Sequence, residues 1–288
     1  MVNRTIEKII EDYERSLEQS NLASNSKRHY LARARHFLSF VQSTSSTFTL
    51  ENPLQRDAAT RSYKDFLRVQ QQIGPASINA SMSALNHFYQ FLGVGASSVE
   101  REVAERPQPK TLSQEEIDKL YKAAMDTRSD RDRAIVLVLL SSGIRVYECA
   151  NLETTDVCVG EKGNHFLTVR NRRVRKIPLE GSVYNSLINW MTKREHMDLV
   201  PGSESALFVN LNGKRITTAG IDFAVRKIGI RAGLVVSPIM LRHSYISSLV
   251  QKGVDLFTIA DLSDQRGLDT LKRYASESTP SPAADDLS

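Results

Sequence analysis

Apolar residues recur at helical spacing through the first hundred positions. Ile6, Ile9, Ile10, Tyr13 and Leu17 fall on one stripe, and so do Tyr30, Ala34, Phe37, Leu38 and Val41, which predicts two amphipathic helices. A third helix is expected over residues 57–69. A fourth covers 77–92, where Ile78, Met82, Leu85, Tyr89 and Leu92 share a face and Gly93 supplies the stop. Residues 1–93 therefore read as a small all-helical bundle. Between 94 and 110 the periodicity gives way to Gly, Ser, Pro and charge, the composition of a linker between domains.

The second domain, 111–288, opens on Ser113, three residues before Glu116, a capping-box start for a helix bearing Ile117, Leu120, Tyr121 and Ala124. Residues 132–142 predict a mostly buried helix ended by Gly143, placing Arg145 near that helix's end with Glu148 one turn further on. Two short strands, 165–169 and 174–179, follow from alternation. Helices are then expected at 182–195, 217–232, 241–252 and 256–262. From about residue 275 the chain carries Pro280 and Pro282 and little apolar periodicity, so a flexible tail is expected. The fold class is mainly α with a small antiparallel β-ribbon: a helical bundle followed by an α+β domain.

Composition excludes several classes. Of 288 residues 41% are hydrophobic and 25% charged, the balance of a folded globular chain rather than a disordered or collagen-like one. The two cysteines, Cys149 and Cys158, form no CxxC and sit in no Cys/His cluster, so no disulfide framework or structural zinc is expected. Gly93-x-Gly95 follows a helix rather than a strand, which argues against a dinucleotide cofactor. The longest apolar run, Ala134 to Leu140, is far below the roughly 18 residues of a membrane span, and the N-terminus lacks a signal peptide's apolar block. A cytoplasmic protein without membrane, metal, cofactor or small-molecule substrate is the expectation.

Charge sharpens this picture. The chain is +5 overall, yet residues 106–274 alone carry 26 basic and 19 acidic side chains, a net +7. Arg170, Arg172, Arg173, Arg175 and Lys176 crowd the turn between the two predicted strands, and they repel one another unless an anion lies alongside. A two-stranded ribbon tipped with arginine suits a DNA groove. The second helix adds Lys27, Arg28, Arg33 and Arg35 off its apolar stripe, able to face a phosphate backbone or water.

Three segments in order resemble the tyrosine recombinase, or phage integrase, family. Ser142-Gly143-Ile144-Arg145-Val146-Tyr147-Glu148 is similar to the family's Thr-Gly-Leu-Arg-x-x-Glu box, with Leu152 and Asp156 continuing it. Pro238-Ile239-Met240-Leu241-Arg242-His243-Ser244 resembles Pro-His-x-Leu-Arg-His-Thr, and Tyr274 stands where the family keeps its nucleophile. The N-terminal segment from Ser77-Ile78-Asn79 to Phe91-Leu92 looks like the last helix of the family's core-binding (SAM-like) domain.

The resemblance implies a site-specific DNA recombinase that cuts and rejoins strands through a 3′-phosphotyrosine, for integration, excision or resolution. Its partners would be double-stranded DNA with inverted-repeat core sites and three further copies of itself. A tyrosine hydroxyl can attack a phosphodiester and conserve the bond in a covalent link, while paired guanidiniums bind the charge that builds on the phosphate oxygens. Arg145 and Arg242 are the candidates for that clamp, and Glu148 for orienting Arg145. The chain departs from the family pattern at three positions. Arg170 stands where the ribbon lysine is usual, so Lys176 is the candidate substitute. Ile239 replaces a histidine, with the following His243 read as structural. Gln265 replaces His or Trp and could still donate to a phosphate oxygen. The alternative is a DNA-binding architectural or regulatory protein of the same fold with impaired cleavage; a type IB topoisomerase shares the chemistry without the specific site.

Overall fold

The computed structural model describes residues 6–44, 52–104, 108–160, 163–171, 173–265 and 267–275. The chain divides into two compact units, Met1–Arg106 and Pro107–Ser288. In the first, α1 (Ile6–Gln19), α2 (Ser24–Thr44), α3 (Pro53–Asp65) and α4 (Pro75–Phe91) carry the predicted stripes, and a π-helical turn, Phe66–Gln70, prolongs α3. Tyr13 and Leu17 of α1, Phe37 and Leu38 of α2, and Ile78, Leu85 and Phe88 of α4 meet in one buried cluster. The buried phenols keep hydrogen-bond partners: Tyr13 has His87 at 3.0 Å, Tyr63 has His36 at 2.6 Å, and Tyr89 has Thr60 at 2.8 Å. The third helix starts earlier than the apolar pattern indicates, because Asn52 caps it and Pro53 fills its first turn.

The stretch after α4, read from composition as a linker, is strapped to this unit as far as Glu102. Ser97 N–H donates to Asn86 Oδ1 at 3.0 Å, Glu102 N–H to Asn79 Oδ1 at 2.8 Å, and the buried Arg56 donates to the carbonyls of Val94 and Gly95. Such side-chain anchors leave no periodic trace in a sequence.

The second unit packs α5 (Gln114–Met125), α6 (Asp130–Ser142), α7 (Val146–Ala150), α8 (Gly181–Arg194), α9 (Thr218–Arg231), α10 (Pro238–Gln251), α11 (Leu256–Ser263) and α12 (Leu268–Ala275) with a small antiparallel sheet. The α6 segment is the hub, with Ile135, Val136, Leu137, Val138 and Leu139 all buried. Both halves of the capping box at α5 form: Glu116 N–H reaches Ser113 Oγ at 3.2 Å, and Ser113 N–H reaches Glu116 Oε2 at 2.8 Å. The predicted ribbon is one strand short. The sheet has three strands in chain order, β1 (Val157–Val159), β2 (His165–Arg170) and β3 (Val174–Leu179), and β1 is too brief to show alternation. Two helices also escaped the pattern: the single turn of α7, and α12, which carries Tyr274.

The register sets Val169 opposite Arg175 and Thr168 opposite Lys176. Leu167, Val169, Arg175, Ile177 and Leu179 are thereby buried on the inner face, while Arg170, Val174 and Lys176 take the outer one. Tyr274 belongs to a second, small cluster with Ile246, Ile259 and Leu271. The tail expected after residue 275 lies outside the described residues.

Gly143, at φ +58, ends α6 in a left-handed turn, and a Cβ there would stand 2.2 Å from the Tyr245 ring. Gly143→Ala is therefore expected to lower the unfolding free energy by about 2–4 kcal/mol in urea titrations. Gly163→Ala, at φ +72 with open space around it, should lose only about 1–2 kcal/mol, the backbone cost alone.

Candidate active site

The turn at Gly143 decides where the first arginine goes. As expected, α6 stops at Ser142 before Gly143, and Arg145 lies just beyond it, extended (φ −73°, ψ 151°), as the residue capping α7. Glu148, in the first turn of α7, accepts from the Arg145 backbone N–H at 2.7 Å and from its Nη1 at 3.3 Å. The same Glu148 Oε1 accepts from Arg175 Nη2 at 2.8 Å and from Asn171 Nδ2 at 3.3 Å. Glu148 is 2% exposed and Arg175 6%, so this is a buried ion pair joining the sheet to α7.

Arg242, on α10, reaches back to the same turn. Its Nη1 donates to Gly143 O at 2.5 Å, and its Nη2 donates to Ser263 O at 2.6 Å and Gln265 Oε1 at 3.1 Å. Burial, reinforced by repulsion from Arg145, brings the Arg242 pKa down to about 10, still well above neutrality. Because a guanidinium only donates, Gln265 must turn its carbonyl oxygen to Arg242, and its amide nitrogen remains as its donor. Asp264, in the left-handed conformation at the end of α11 (φ 52°), binds Arg145 twice: Oδ2 accepts from Nη1 at 2.9 Å and the backbone O from Nη2 at 2.7 Å. Burial opposes its ionisation, yet the charges of Arg145, Arg175 and Arg173 hold its carboxyl below the ordinary range.

Arg145, Arg242, Gln265 and Tyr274 line one open cavity of about 730 Å³, with Tyr147, Lys110, His243 and Arg273 around it. Among the described residues, no Asp or Glu lines it, which suits an anionic ligand. Tyr274 is 3% exposed, its ring 5.8 Å from that of His243 in an edge-on contact. His243 was read as structural because a helix turns it away from Arg242. It nevertheless lines the cavity, since α12 and residues 108–110 wrap round that side of α10. Burial lowers its pKa, partly offset by a hydrogen bond to the Lys110 backbone. Ile239 also lines the cavity and is 61% exposed.

The ribbon's basic residues scatter. Arg175 was expected on a DNA-facing turn, but it is buried against Glu148, because its place in the register points it inward. Lys176, the substitute for the ribbon lysine, lies on the sheet's outer face with its Nζ 4.9 Å from the Phe166 ring centroid, and it does not line the cavity. Arg170 shares that outer face and pairs with Asp156. Arg173 folds onto α11, bonding Asp261 at 2.8 Å and the carbonyl of Ala260 at 3.2 Å. Arg172 lies outside the described residues. In α2, at about 100° per residue, Arg28 and Arg35 share a face, Lys27 stands to one side, and Arg33 is turned roughly 140° from Arg28. Arg28 bonds Asn25, Arg35 bonds Glu14, Lys27 bonds the Glu18 carbonyl and Arg33 bonds Ser81. They do not form a single stripe.

Sequence reasoning passed over Asp264, Asn171, Tyr147 and Lys110. The only hint for Asp264 was the tolerance of Asp for a left-handed turn. Among the described residues, no group of three or more His, Cys, Asp or Glu could hold a metal ion, and no helix is long and apolar enough to cross a membrane.

The sequence model described as the phage integrase family matches residues 110–279, more than half of the chain. Among curated proteins, the chain is 28% identical to tyrosine recombinase XerA of Pyrococcus furiosus over 92% of this chain and 88% of that one. It is 26% identical to tyrosine recombinase XerD of Oceanobacillus iheyensis over 93% of each. Among solved structures, XerH bound to difH substrate in a pre-cleavage complex superposes with a TM-score of 0.69 at 19% identity, over 94% of this chain and 81% of that one. A lambda integrase dimer bound to a core site gives 0.63 at 15% identity, over 94% and 77%. At those identities the structures speak for the fold.

Glu148→Gln leaves Arg175 buried without a counter-charge and should cost about 3–5 kcal/mol in urea unfolding. Glu148→Gln combined with Arg175→Met should recover part of that loss.

Proposed function

The chain belongs to the phage integrase family, and on that premise we propose that it is a site-specific tyrosine recombinase, which cuts and rejoins DNA strands through a 3′-phosphotyrosine intermediate. One observation carries the reading: Arg145, Arg242 and Tyr274, spread over 130 positions of sequence, line a single cavity with no acidic side chain among its described lining residues.

The hydrogen-bond inventory suits phosphate. A guanidinium has five N–H groups. Among the described residues, Arg145 commits three of them, two on Nη1 and one on Nη2. The Nε–H and the second Nη2 N–H lie side by side on one edge, the fork that grips two oxygens of a phosphate. Arg242 keeps its Nε–H and one Nη1 N–H. A phosphodiester held between them would face Tyr274. Attack by the phenol oxygen on phosphorus expels the 5′-hydroxyl and forms the covalent link, and the guanidiniums stabilise the charge that grows on the non-bridging oxygens. Glu148 and Asp264 hold Arg145 in place, and the Gln265 amide is available to donate to the phosphate. Arg28, Arg35, Lys27 and Arg170 would meet the backbone away from the cut. Four copies on two inverted-repeat core sites, in the cytoplasm, are the assembly and compartment this reading expects.

The test is a nicked duplex that traps the cleaved state, built on a site recovered by binding selection from random-sequence DNA. Wild type should form a covalent protein–DNA adduct, and Tyr274→Phe none. Arg145→Ala and Arg242→Ala should each slow adduct formation about 10²–10³-fold. Tight binding without adduct would identify the non-cleaving DNA-binding protein instead, and relaxation of plasmids that lack the site would identify a topoisomerase.

A further inference from the structure

Resting on the recombinase reading above, we propose that Tyr147 is a catalytic residue: the proton donor to the departing 5′-oxygen. An alkoxide leaves slowly unless it is protonated as its bond to phosphorus breaks, and a placed acid accelerates such a step about 10²–10⁴-fold. In an in-line displacement the donor must stand across the phosphorus from the attacking oxygen. The cavity's arginines are committed elsewhere: the N–H groups that Arg145 and Arg242 have left are the ones that grip the non-bridging phosphate oxygens. His243 lies against Tyr274 itself, ring to ring at 5.8 Å, which puts it on the attacking side. Arg170 and Lys176 are pinned on the outer face of the sheet, on Asp156 and Phe166.

Among the described lining residues two acids remain, Lys110 and Tyr147, and the hydrogen bonding of Tyr147 favours it. It lines the cavity beside Arg145 and is 41% exposed, so a substrate can touch it. Its hydroxyl is 2.6 Å from Asn171 Nδ2. The same Asn171 atom is 3.3 Å from Glu148 Oε1 and 3.2 Å from Asp264 Oδ2. Carboxylates only accept, so the two of them identify that atom as the amide nitrogen, and towards Tyr147 it can only donate. The phenol oxygen is therefore the acceptor, and its own proton is left to point elsewhere. A phenol O–H both donates and accepts, so it can give up a proton and take it back.

The step balances. Tyr274, its proton passed to solvent water, forms the new bond from its oxygen to phosphorus. The bond from phosphorus to the 5′-oxygen breaks, its electron pair stays on that oxygen, and the Tyr147 proton moves there. The Tyr147 phenolate accepts from Asn171 Nδ2 until rejoining returns the proton from the incoming 5′-hydroxyl.

Sulfur in place of the bridging 5′-oxygen gives a thiolate leaving group, which needs no proton. On oxygen DNA in the nicked-duplex assay, Tyr147→Phe should form adduct about 10²–10⁴-fold more slowly than wild type. On the sulfur-substituted duplex it should come within a few-fold of wild type, which also shows the variant to be folded. Lys110→Ala should be slowed equally on both. The donor role is overturned if Tyr147→Phe matches wild type on oxygen DNA, if it is slowed equally on both substrates, or if the sulfur rescue belongs to Lys110→Ala. Wild type forming no adduct on either substrate overturns the recombinase reading, and the donor role with it.

Discussion

The site hangs on a carboxylate that the cavity does not expose. Glu148 is the one acceptor shared by Arg145, Arg175 and Asn171, and those three come from the α6–α7 turn, β3 and the ribbon turn. Ionised carboxylates out of water need fixed donors, and each donor here is itself anchored to a different element. The result is a rigid positive centre, in which Arg145, Arg175 and Arg242 are opposed by Glu148 and Asp264. One positive charge is left over on the side where the cavity opens, which favours a dianionic transition state over a neutral ligand.

The helices, the ribbon and the arginine–tyrosine constellation were legible because each is written in a short window: a stripe at helical spacing, an alternation, or a box of adjacent residues. What stayed hidden is what depends on register and on turns. Whether Arg175 or Lys176 points inward is decided by a one-residue choice of strand face, and charge density along the chain does not reveal it. Gly143 already sets Arg145 beyond α6, but its second carboxylate partner is 119 positions away. Segment 94–102 looked like a linker because side-chain amides, rather than apolar stripes, bind it to the bundle.

Local electrostatics also explain why a dense run of arginines need not be a DNA-binding surface. Arg170, Arg173 and Arg175 are each answered by an acidic partner from a different element: Asp156, Asp261 and Glu148. The cluster therefore ties the sheet to α7, to the short turn before β1 and to α11, and only what is left after those pairings is available to an outside anion. Exposed pairs of this kind contribute little and are screened by salt; the buried pair with Glu148 does not loosen in the same way.

The two ends of the cavity are moored very differently. Arg145 and Arg242 are bolted to the turn after α6, in the middle of the domain's large core. Tyr274 rests in a patch of four buried side chains, Ile246, Ile259, Leu271 and itself. Opening so small a patch takes far less free energy than unfolding the domain. Tyr274 can thus be withdrawn or presented as a separate act, while the arginine end of the cavity keeps its shape throughout.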